Sequence, residues 1–232
     1  MREIVMDTET TGLDPRDGHR IVEIGGVELE NHVPTGCIYH QYINPERDMP
    51  EEAFAVHGLS ADRLSREPVF AAIVDDFIAF VGDAKLVIHN ASFDMKFINA
   101  ELGWLQRDPI PFEQAIDTLA IARTRFPGSP ASLDALCRRF GVDNSSREKH
   151  GALLDSEILA EVYLELIGGR QPDLAASLDP SSQATNNDRA EASSWTPGVR
   201  PRPLAPRLTV AEREAHEAFI DDLGDDPVWR RA

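Results

Sequence analysis

Cysteine is scarce in this sequence, and its scarcity excludes two kinds of fold. The 232 residues include only Cys37 and Cys137, neither of which belongs to a group with the spacing of zinc ligands. A disulfide scaffold needs several paired cysteines, and a structural zinc site needs grouped cysteines and histidines. We therefore predict that both cysteines are buried, reduced thiols and that an apolar core stabilises the fold.

Long apolar runs are also missing. No stretch approaches the roughly 20 consecutive apolar residues of a membrane-spanning helix. Arg2 and Glu3 follow Met1 at once, where a secretion signal would continue into an apolar segment. We therefore expect a cytoplasmic protein that does not enter a membrane.

Basic residues are few compared with acidic residues. The chain has 23 Lys and Arg residues against 40 Asp and Glu residues, which gives a formal net charge of −17 at pH 7. This balance opposes the sequence-independent attraction to phosphates on which most nucleic-acid-binding proteins rely. If the chain acts on DNA, something other than its overall charge must supply the affinity.

Up to about residue 169, short β-branched runs alternate with amphipathic helical patterns, which predicts an α/β fold. The first three strands, interrupted at Asp14-Pro15 and at Pro34-Thr35-Gly36, suggest an antiparallel meander. The predicted strands are 2–6, Ile21–Glu30, 38–43, Lys85–Ile88 and Ala115–Asp117. The predicted helices are Phe70–Val81, 93–102, 119–125, Leu133–Phe140 and 152–167.

The C-terminal part changes composition. Residues 171–207 are rich in Pro, Ser, Ala and Asn, which is typical of a flexible linker. Helical periodicity returns over 208–223, with Val210, Ala218 and Phe219 as apolar anchors. A short helix cannot bury such groups by itself, so we expect the segment 208–232 to bind a partner protein; folding back onto the first domain, residues 1–170, is the alternative.

Two carboxylates, Asp7 and Glu9, follow the first predicted strand directly. Their spacing of two places both side chains on one side of the chain if the strand continues. Like charges side by side are costly unless a cation compensates them. Solvation in the following turn is the alternative explanation.

Two further acids lie on predicted helices. Asp155 falls on the apolar face of its helix, where a carboxylate is expensive unless it is paired or bound to a metal. Asp94 lies in the first turn of a helix that Ser92 could cap, and a favourable interaction with the helix dipole is its alternative role.

Together these four acids predict an oxygen-ligand site for Mg²⁺ or Mn²⁺. A pair of such ions can clamp the attacking and leaving oxygens of a phosphodiester hydrolysis. His150, just before the helix of Asp155, is the candidate general base that prepares the attacking water.

The same residues resemble a known family. Asp7-Thr8-Glu9, then His89-Asn90-Ala91-Ser92-Phe93-Asp94, and then His150-Gly151-Ala152-Leu153-Leu154-Asp155 are similar to the three motifs of the DEDDh exonuclease superfamily. Phe126-Pro127-Gly128 and Ser132-Leu133-Asp134-Ala135-Leu136-Cys137 resemble the epsilon family, the proofreading subunits of bacterial DNA polymerase III. The resemblance covers about residues 2–170 and implies a ribonuclease H-like fold with a five-stranded mixed sheet flanked by helices.

The resemblance also implies roles for individual residues. Asp7, Glu9 and Asp155 would bind the first metal ion. Asp7 would bridge to the second, which Asp94 would serve partly through water, and His150 would be the general base.

Three more residues take their expected roles from the same resemblance. Leu13 would contact the last base. His57 would lie near the terminal nucleotide, with capping of a turn as its alternative. Asp117 would support the orientation of the site.

The implied partners are those of a replicase. The substrate would be a single-stranded or frayed DNA 3′ end, and the tail 208–232 would bind the alpha catalytic subunit of polymerase III. Residues 171–176 resemble a peptide that binds the sliding clamp, and a small theta-like subunit is a further expected partner at the nucleoid-associated replisome. Two alternatives stay open: a free-standing nuclease of RNA ends, similar to ribonuclease T or oligoribonuclease, and a non-catalytic brace in the replicase.

Overall fold

The computed structural model describes residues 1–145, 149–168 and 209–222. The strands are β1 (Arg2–Thr10), β2 (Ile21–Glu30), β3 (Val33–Tyr42), β4 (Lys85–Ile88) and β5 (Ala115–Asp117). The helices are α1 (Glu51–His57), α2 (Ala61–Leu64), α3 (Phe70–Val81), α4 (Ala91–Trp104), α5 (Thr118–Arg125), α6 (Leu133–Phe140), α7 (Ala152–Leu166) and α8 (Val210–Asp222). None of the described helices is long and apolar enough to cross a membrane.

The five strands form one mixed sheet in the order β3-β2-β1-β4-β5. Strands β1, β2 and β3 pair antiparallel, whereas β4 pairs parallel with both β1 and β5. The α/β fold, the antiparallel meander and the five-stranded mixed sheet are therefore confirmed. Since β1 lies at the centre of the sheet, its side chains contact helices on both faces.

The turn between β2 and β3 differs from the prediction. The predicted break at Pro34-Thr35-Gly36 lies inside β3, and the chain reverses instead at Asn31 and His32, which both have positive φ. A two-residue hairpin turn of type I′ has positive φ at both turn residues, and asparagine tolerates this better than most residues. Pro34 is accommodated because β3 is an edge strand.

Other element bounds also differ. Strand β1 continues to Thr10, so Asp7 and Glu9 lie within it and do not follow it. Helices α1 and α2, which have seven and four residues, were not predicted, because less than two turns gives no clear helical periodicity. The prediction that both cysteines are buried is wrong for Cys37, which is exposed on β3.

Successive residues of β1 pack against different helices. Ile4 and Met6 belong to an apolar cluster with residues of α3 and α4. Val5 packs instead with Leu159 and Tyr163 of α7. Because strand side chains alternate between faces, residues farther along β1 are presented in turn to α4 and to α7.

Gly25 allows helix α7 to lie close to the sheet. A Cβ atom at Gly25 would overlap the backbone of Ala152 and Leu153 at the start of α7. We expect Gly25→Ala to lower the free energy of unfolding by about 1–3 kcal/mol, as overpacking usually does. Urea unfolding of the purified variant measures the change.

Gly103→Ala is the matched control for this substitution. Gly103 lies in α4, and an added Cβ would meet nothing within 4 Å. Alanine there should leave stability unchanged or raise it by up to about 1 kcal/mol, because it favours the helix. Equal effects of the two substitutions would contradict the close contact at Gly25.

Contacts divide the chain into two compact units, Met1–Leu178 and Asp179–Ala232. In the second unit the described residues form α8, and Thr209 and Glu212 cap its N-terminus. The Thr209 backbone N–H donates to Glu212 Oε2 at 2.8 Å, and the Glu212 N–H donates to Thr209 Oγ1 at 3.2 Å. The anchors Val210, Ala218 and Phe219 are exposed. The predicted linker 171–207 lies outside the described residues.

Candidate active site

Strand β1 presents Glu3, Asp7 and Glu9 on the face that packs against helix α7. Glu3 accepts a 2.7 Å hydrogen bond from the Tyr163 hydroxyl of α7. Asp7 and Glu9 continue the same face of the strand at intervals of two residues. Because α7 packs on this face of β1, Asp155 in the first turn of α7 lies near the carboxylates of Asp7 and Glu9.

Glu9, His150 and Asp155 form a tight cluster. One ligand atom from each side chain lies within 4.8 Å of those of the other two. Glu9 and Asp155 are buried, whereas His150 is exposed. Asp7 is half-buried and lines the same cavity as His150 and Asp155. Carboxylate oxygens gathered in this way are the ligands that Mg²⁺ and Mn²⁺ prefer.

Asp94 approaches β1 on the face that packs against α4. Its Oδ1 atom accepts hydrogen bonds from the Thr8 backbone N–H at 3.1 Å and from Thr8 Oγ1 at 2.7 Å. Thr8 lies between Asp7 and Glu9 in sequence, so these bonds fix the Asp94 carboxylate beside the strand that carries both acids. Asp94 is 3% exposed.

Burial makes two of these acids hard to ionise. Desolvation raises the pKa of Glu9 to about 8 against the opposing effect of His150, and the carboxylates of Asp155, Glu23 and Asp94 raise it further. Burial likewise raises the pKa of Asp94 to about 7. A divalent cation would favour the carboxylate forms, so the residues present fit such an ion.

His150 lies in the loop before α7. Its backbone N–H donates to the Val56 carbonyl at 3.3 Å, and its Nδ1 atom is 3.2 Å from Asp155 Oδ2. The side chain is about half exposed. His150 can therefore be oriented by Asp155 while solvent reaches the ring.

A cavity of about 480 Å³ lies beside Glu9. It is lined by Leu13, which is 79% exposed, by His57 at the end of α1, and by Phe93 of α4. Apolar side chains with few polar atoms suit a planar base and a sugar. The structure thus brings Leu13 and His57, both predicted at the terminal nucleotide, to one cavity next to the acids.

His57 is nearly buried, and its two nitrogens differ. Nδ1 accepts a 3.0 Å hydrogen bond from the Leu59 backbone N–H, which is the turn-capping contact. Nε2 is also buried, and the Thr10 backbone is close enough to raise the pKa of the ring against the effect of burial. Burial lowers the pKa of His57, so the ring favours its neutral form.

Helix α4 fixes the loop that carries Leu13. Lys96 Nζ donates to the Leu13 carbonyl at 2.9 Å. Arg20, at the end of the loop, makes two 2.8 Å bonds to the buried carboxylate of Glu101. Sequence reasoning missed Lys96 and Glu101, because a single charged residue on a helix gives no signal of the loop it contacts.

Two capping assignments are settled by geometry. The prediction that Ser92 caps its helix is wrong: α4 begins at Ala91, and the cap residue is Asn90, with φ of 68°. Asp117 Oδ1 accepts hydrogen bonds from the N–H groups of Leu119 and Asn90. Asp117 therefore caps α5 and connects it to the turn before α4.

We expect the stability of the metal-free protein to fall as the pH rises from about 5 to about 8. Because the pKa values of Glu9 and Asp94 are raised in the folded state, the folded chain binds more protons than the unfolded chain in this range. The free energy of unfolding then decreases with pH. The loss should reach at least about 1.4 kcal/mol, the equivalent of one pKa unit, in urea unfolding with a chelator.

The Asp94→Asn variant is the control for this pH dependence. The substitution removes one of the two carboxyl groups with a raised pKa, so the stability of the variant should change less between these pH values. Added Mg²⁺ should reverse the trend in the unsubstituted protein, because binding to the folded state stabilises it. The same pH dependence in both proteins would contradict the raised pKa of Asp94.

Comparison with known proteins identifies the family. An exonuclease family model, RNase_T, matches residues 4–163. The DNA polymerase III epsilon subunits of Rickettsia felis and Escherichia coli are 50% and 42% identical over 229 and 240 residues, which cover 96% and 99% of this chain and 97% of each relative. The chain belongs to the DNA polymerase III epsilon family. The resemblance of the sequence to this family is thus confirmed.

Solved structures of other exonucleases have a similar fold. Exonuclease X, in complex with 5′ overhanging duplex DNA, is 26% identical with a TM-score of 0.55, over 72% of this chain and 90% of that chain. The nuclease domain of 3′hExo, a DEDDh family member bound to rAMP, is 21% identical with a TM-score of 0.62. The match covers 72% of this chain and 91% of that chain. The fold is ribonuclease H-like. This epsilon-family chain is a 3′→5′ exonuclease of the proofreading type.

Proposed function

We propose that this chain removes mismatched 3′-terminal nucleotides from single-stranded or frayed DNA as the proofreading subunit of the replicative polymerase. The observation that carries the proposal is the cluster of Glu9, His150 and Asp155, with Asp7 lining the same cavity and Asp94 bound to the same strand. The relatives named DNA polymerase III epsilon subunit supply the polymerase context.

The carboxylates would bind two divalent cations, Mg²⁺ or Mn²⁺. Asp7, Glu9 and Asp155 would hold the first, and Asp7 and Asp94 the second. When bound, the cations supply charge that stabilises the attacking and leaving oxygens of the phosphodiester hydrolysis.

The protein's own groups would orient the reactants and move the proton. His150 would take a proton from the attacking water at Nε2, since Nδ1 lies beside Asp155 Oδ2. Leu13 and His57 would contact the terminal nucleotide in the cavity beside Glu9. Because the acids are recessed, the terminal phosphate would reach them only from an unpaired 3′ end.

The acidic chain would receive its substrate from a partner. A net charge of −17 disfavours independent binding to duplex DNA, whereas tethering to a polymerase raises the local concentration of the 3′ end. The tail 208–232 would provide the tether to the alpha subunit, and the exposed apolar anchors of α8, Val210 and Phe219, support this. Clamp binding through 171–176 and a theta-like subunit are further parts of the proposal.

A 3′-mismatched primer tests the reaction. The purified chain with Mn²⁺ or Mg²⁺ should release nucleoside 5′-monophosphates one at a time from the 3′ end, faster from a mismatched than from a paired terminus. Failure to release mononucleotides would support the non-catalytic brace. A clear preference for RNA over DNA of the same sequence would support the nuclease of RNA ends.

Size-exclusion chromatography tests the tether. The full chain should co-elute with the polymerase catalytic subunit, and a truncation that removes 208–232 should not, although its hydrolysis of single-stranded DNA should persist. Separate elution of the full chain from the catalytic subunit would contradict this part of the proposal.

A further inference from the structure

We propose that Arg123 binds a phosphate of the DNA strand upstream of the bond that is cleaved. The inference rests on the proposed function, because it takes the substrate to be a polynucleotide. Arg123, on α5, lines a cavity of about 440 Å³ together with Asp7, His150 and Asp155. Among the described residues that line this cavity, Arg123 is the only lysine or arginine.

Arg123 differs from the next arginine of its helix. Arg125 donates hydrogen bonds to the backbone carbonyls of Glu165 and Leu166 at the end of α7, so it connects two helices. Arg123 is exposed, and within the described part of the chain its guanidinium has no hydrogen bond or ion pair. No contact among the described residues therefore explains why the positively charged side chain of Arg123 lies at this cavity.

Helix α5 fixes the position from which Arg123 reaches the cavity. The Asp117 carboxylate caps the helix through Leu119 and also accepts from the Asn90 N–H at 3.2 Å, just before α4. Asp94 lies in the first turn of α4. Arg123 and Asp94 thus stand on two helices whose N-terminal ends are connected by hydrogen bonds, so the backbone that carries Arg123 is fixed near the site.

The chemistry of the substrate identifies the ligand. The 3′-terminal nucleotide carries one phosphate, the one that is attacked beside the carboxylates. Any other phosphate near this cavity belongs to the strand upstream of the cleaved bond. A guanidinium suits this role because it is always charged and can bind two phosphate oxygens at once. In an acidic chain, one such contact would fix the direction of the strand without tight binding to duplex DNA.

Two substrates separate this role from an effect on the reacting phosphate. A single-stranded oligodeoxynucleotide contains upstream phosphates, whereas the p-nitrophenyl ester of thymidine 5′-monophosphate contains only the phosphate that is attacked. Arg123→Gln should raise the KM for the oligonucleotide about tenfold with little change in kcat. Both constants for the ester should stay within twofold of the unsubstituted protein. Arg123→Lys should recover part of the loss.

The salt dependence gives a second, independent measurement. The plot of log kcat/KM for the oligonucleotide against log salt concentration should become shallower by about 0.7 in Arg123→Gln, the value for one contact with a single strand. Arg138→Gln is the matched control, because Arg138 is an exposed arginine of α6 that does not line the cavity. It should leave KM and slope unchanged.

Three results would overturn the proposal: an unchanged KM and salt slope in Arg123→Gln, equal losses on both substrates, or a lowered thermal unfolding temperature that accounts for the loss. An unsubstituted protein that cleaves neither substrate would instead contradict the proposed function. The two failures are therefore distinguishable.

Discussion

The Asp155→Ala variant should lose nucleotide release by at least about 10³-fold. Asp155 is 3% exposed and lines the same cavity as Asp7. One of its carboxylate oxygens lies within 4.8 Å of a ligand atom of Glu9 and of a ligand atom of His150. Its removal would take away a ligand of the proposed first cation and also the group that orients His150. A cation that polarises the reacting phosphate contributes several kcal/mol, and each 1.4 kcal/mol corresponds to a factor of ten in rate. Single-turnover hydrolysis of a mismatched primer measures the loss.

Glu157→Ala is the matched control on the same helix. Glu157 is an exposed acid two residues from Asp155 and does not line the cavity of Asp7 and Asp155. Its removal should leave the rate within twofold. The Asp155→Ala protein should stay folded in a chelator, because a buried carboxylate without its cation is costly. A folded Asp155→Ala protein with more than a tenth of the original rate would contradict the proposed role.

Asp7, Glu9 and Asp155 could be recognised as candidate site acids from local pattern, because each is a charged residue in an element that the pattern predicts to be buried. Asp155 interrupts the apolar face of α7, and that face is buried in the structure. The spacing of Asp7 and Glu9 matches the alternation of a strand, and β1 continues through both. A charged side chain on a buried face is a local signal of a compensating ion or partner.

The bounds of several elements could be predicted from hydrophobic periodicity and the turn residues that flank it. Helices α3 and α6 and strand β2 have the predicted limits. The β2–β3 turn was misassigned because Pro34 and Gly36 look like a break, whereas an edge strand can accept both. The turn at Asn31 and His32 depends on backbone dihedrals that neither residue type requires.

Contacts between distant elements could not be predicted. Thr8 binds Asp94 across 86 positions, and Lys96 binds the Leu13 carbonyl across 83. No periodicity of the sequence specifies which helix face meets which loop. Arg123 gave no signal for the same reason, since its significance comes from the cavity it lines with Asp7 and Asp155. The sequence indicates the groups that react, and the fold determines the groups that position them.

The His150→Ala variant should lower turnover at neutral pH by about 10² to 10⁴, the usual contribution of a general base. Nδ1 of His150 lies 3.2 Å from Asp155 Oδ2, which orients the ring so that Nε2 can accept the proton. The pH–rate profile of the variant should also lack the change in rate that the ionisation of His150 causes. Steady-state kinetics from pH 6 to pH 9 at saturating Mg²⁺ measure both effects.

A metal titration separates proton transfer from metal binding at His150. The ring lies close enough to Glu9 and Asp155 to act as a ligand itself, and in that case its removal would mainly weaken metal affinity. The rate of a variant that has lost a ligand recovers when more Mg²⁺ or Mn²⁺ is added, whereas that of a variant that has lost its base stays low at saturation. Full recovery of the His150→Ala rate at high metal concentration would therefore refute the general-base role and make His150 a ligand.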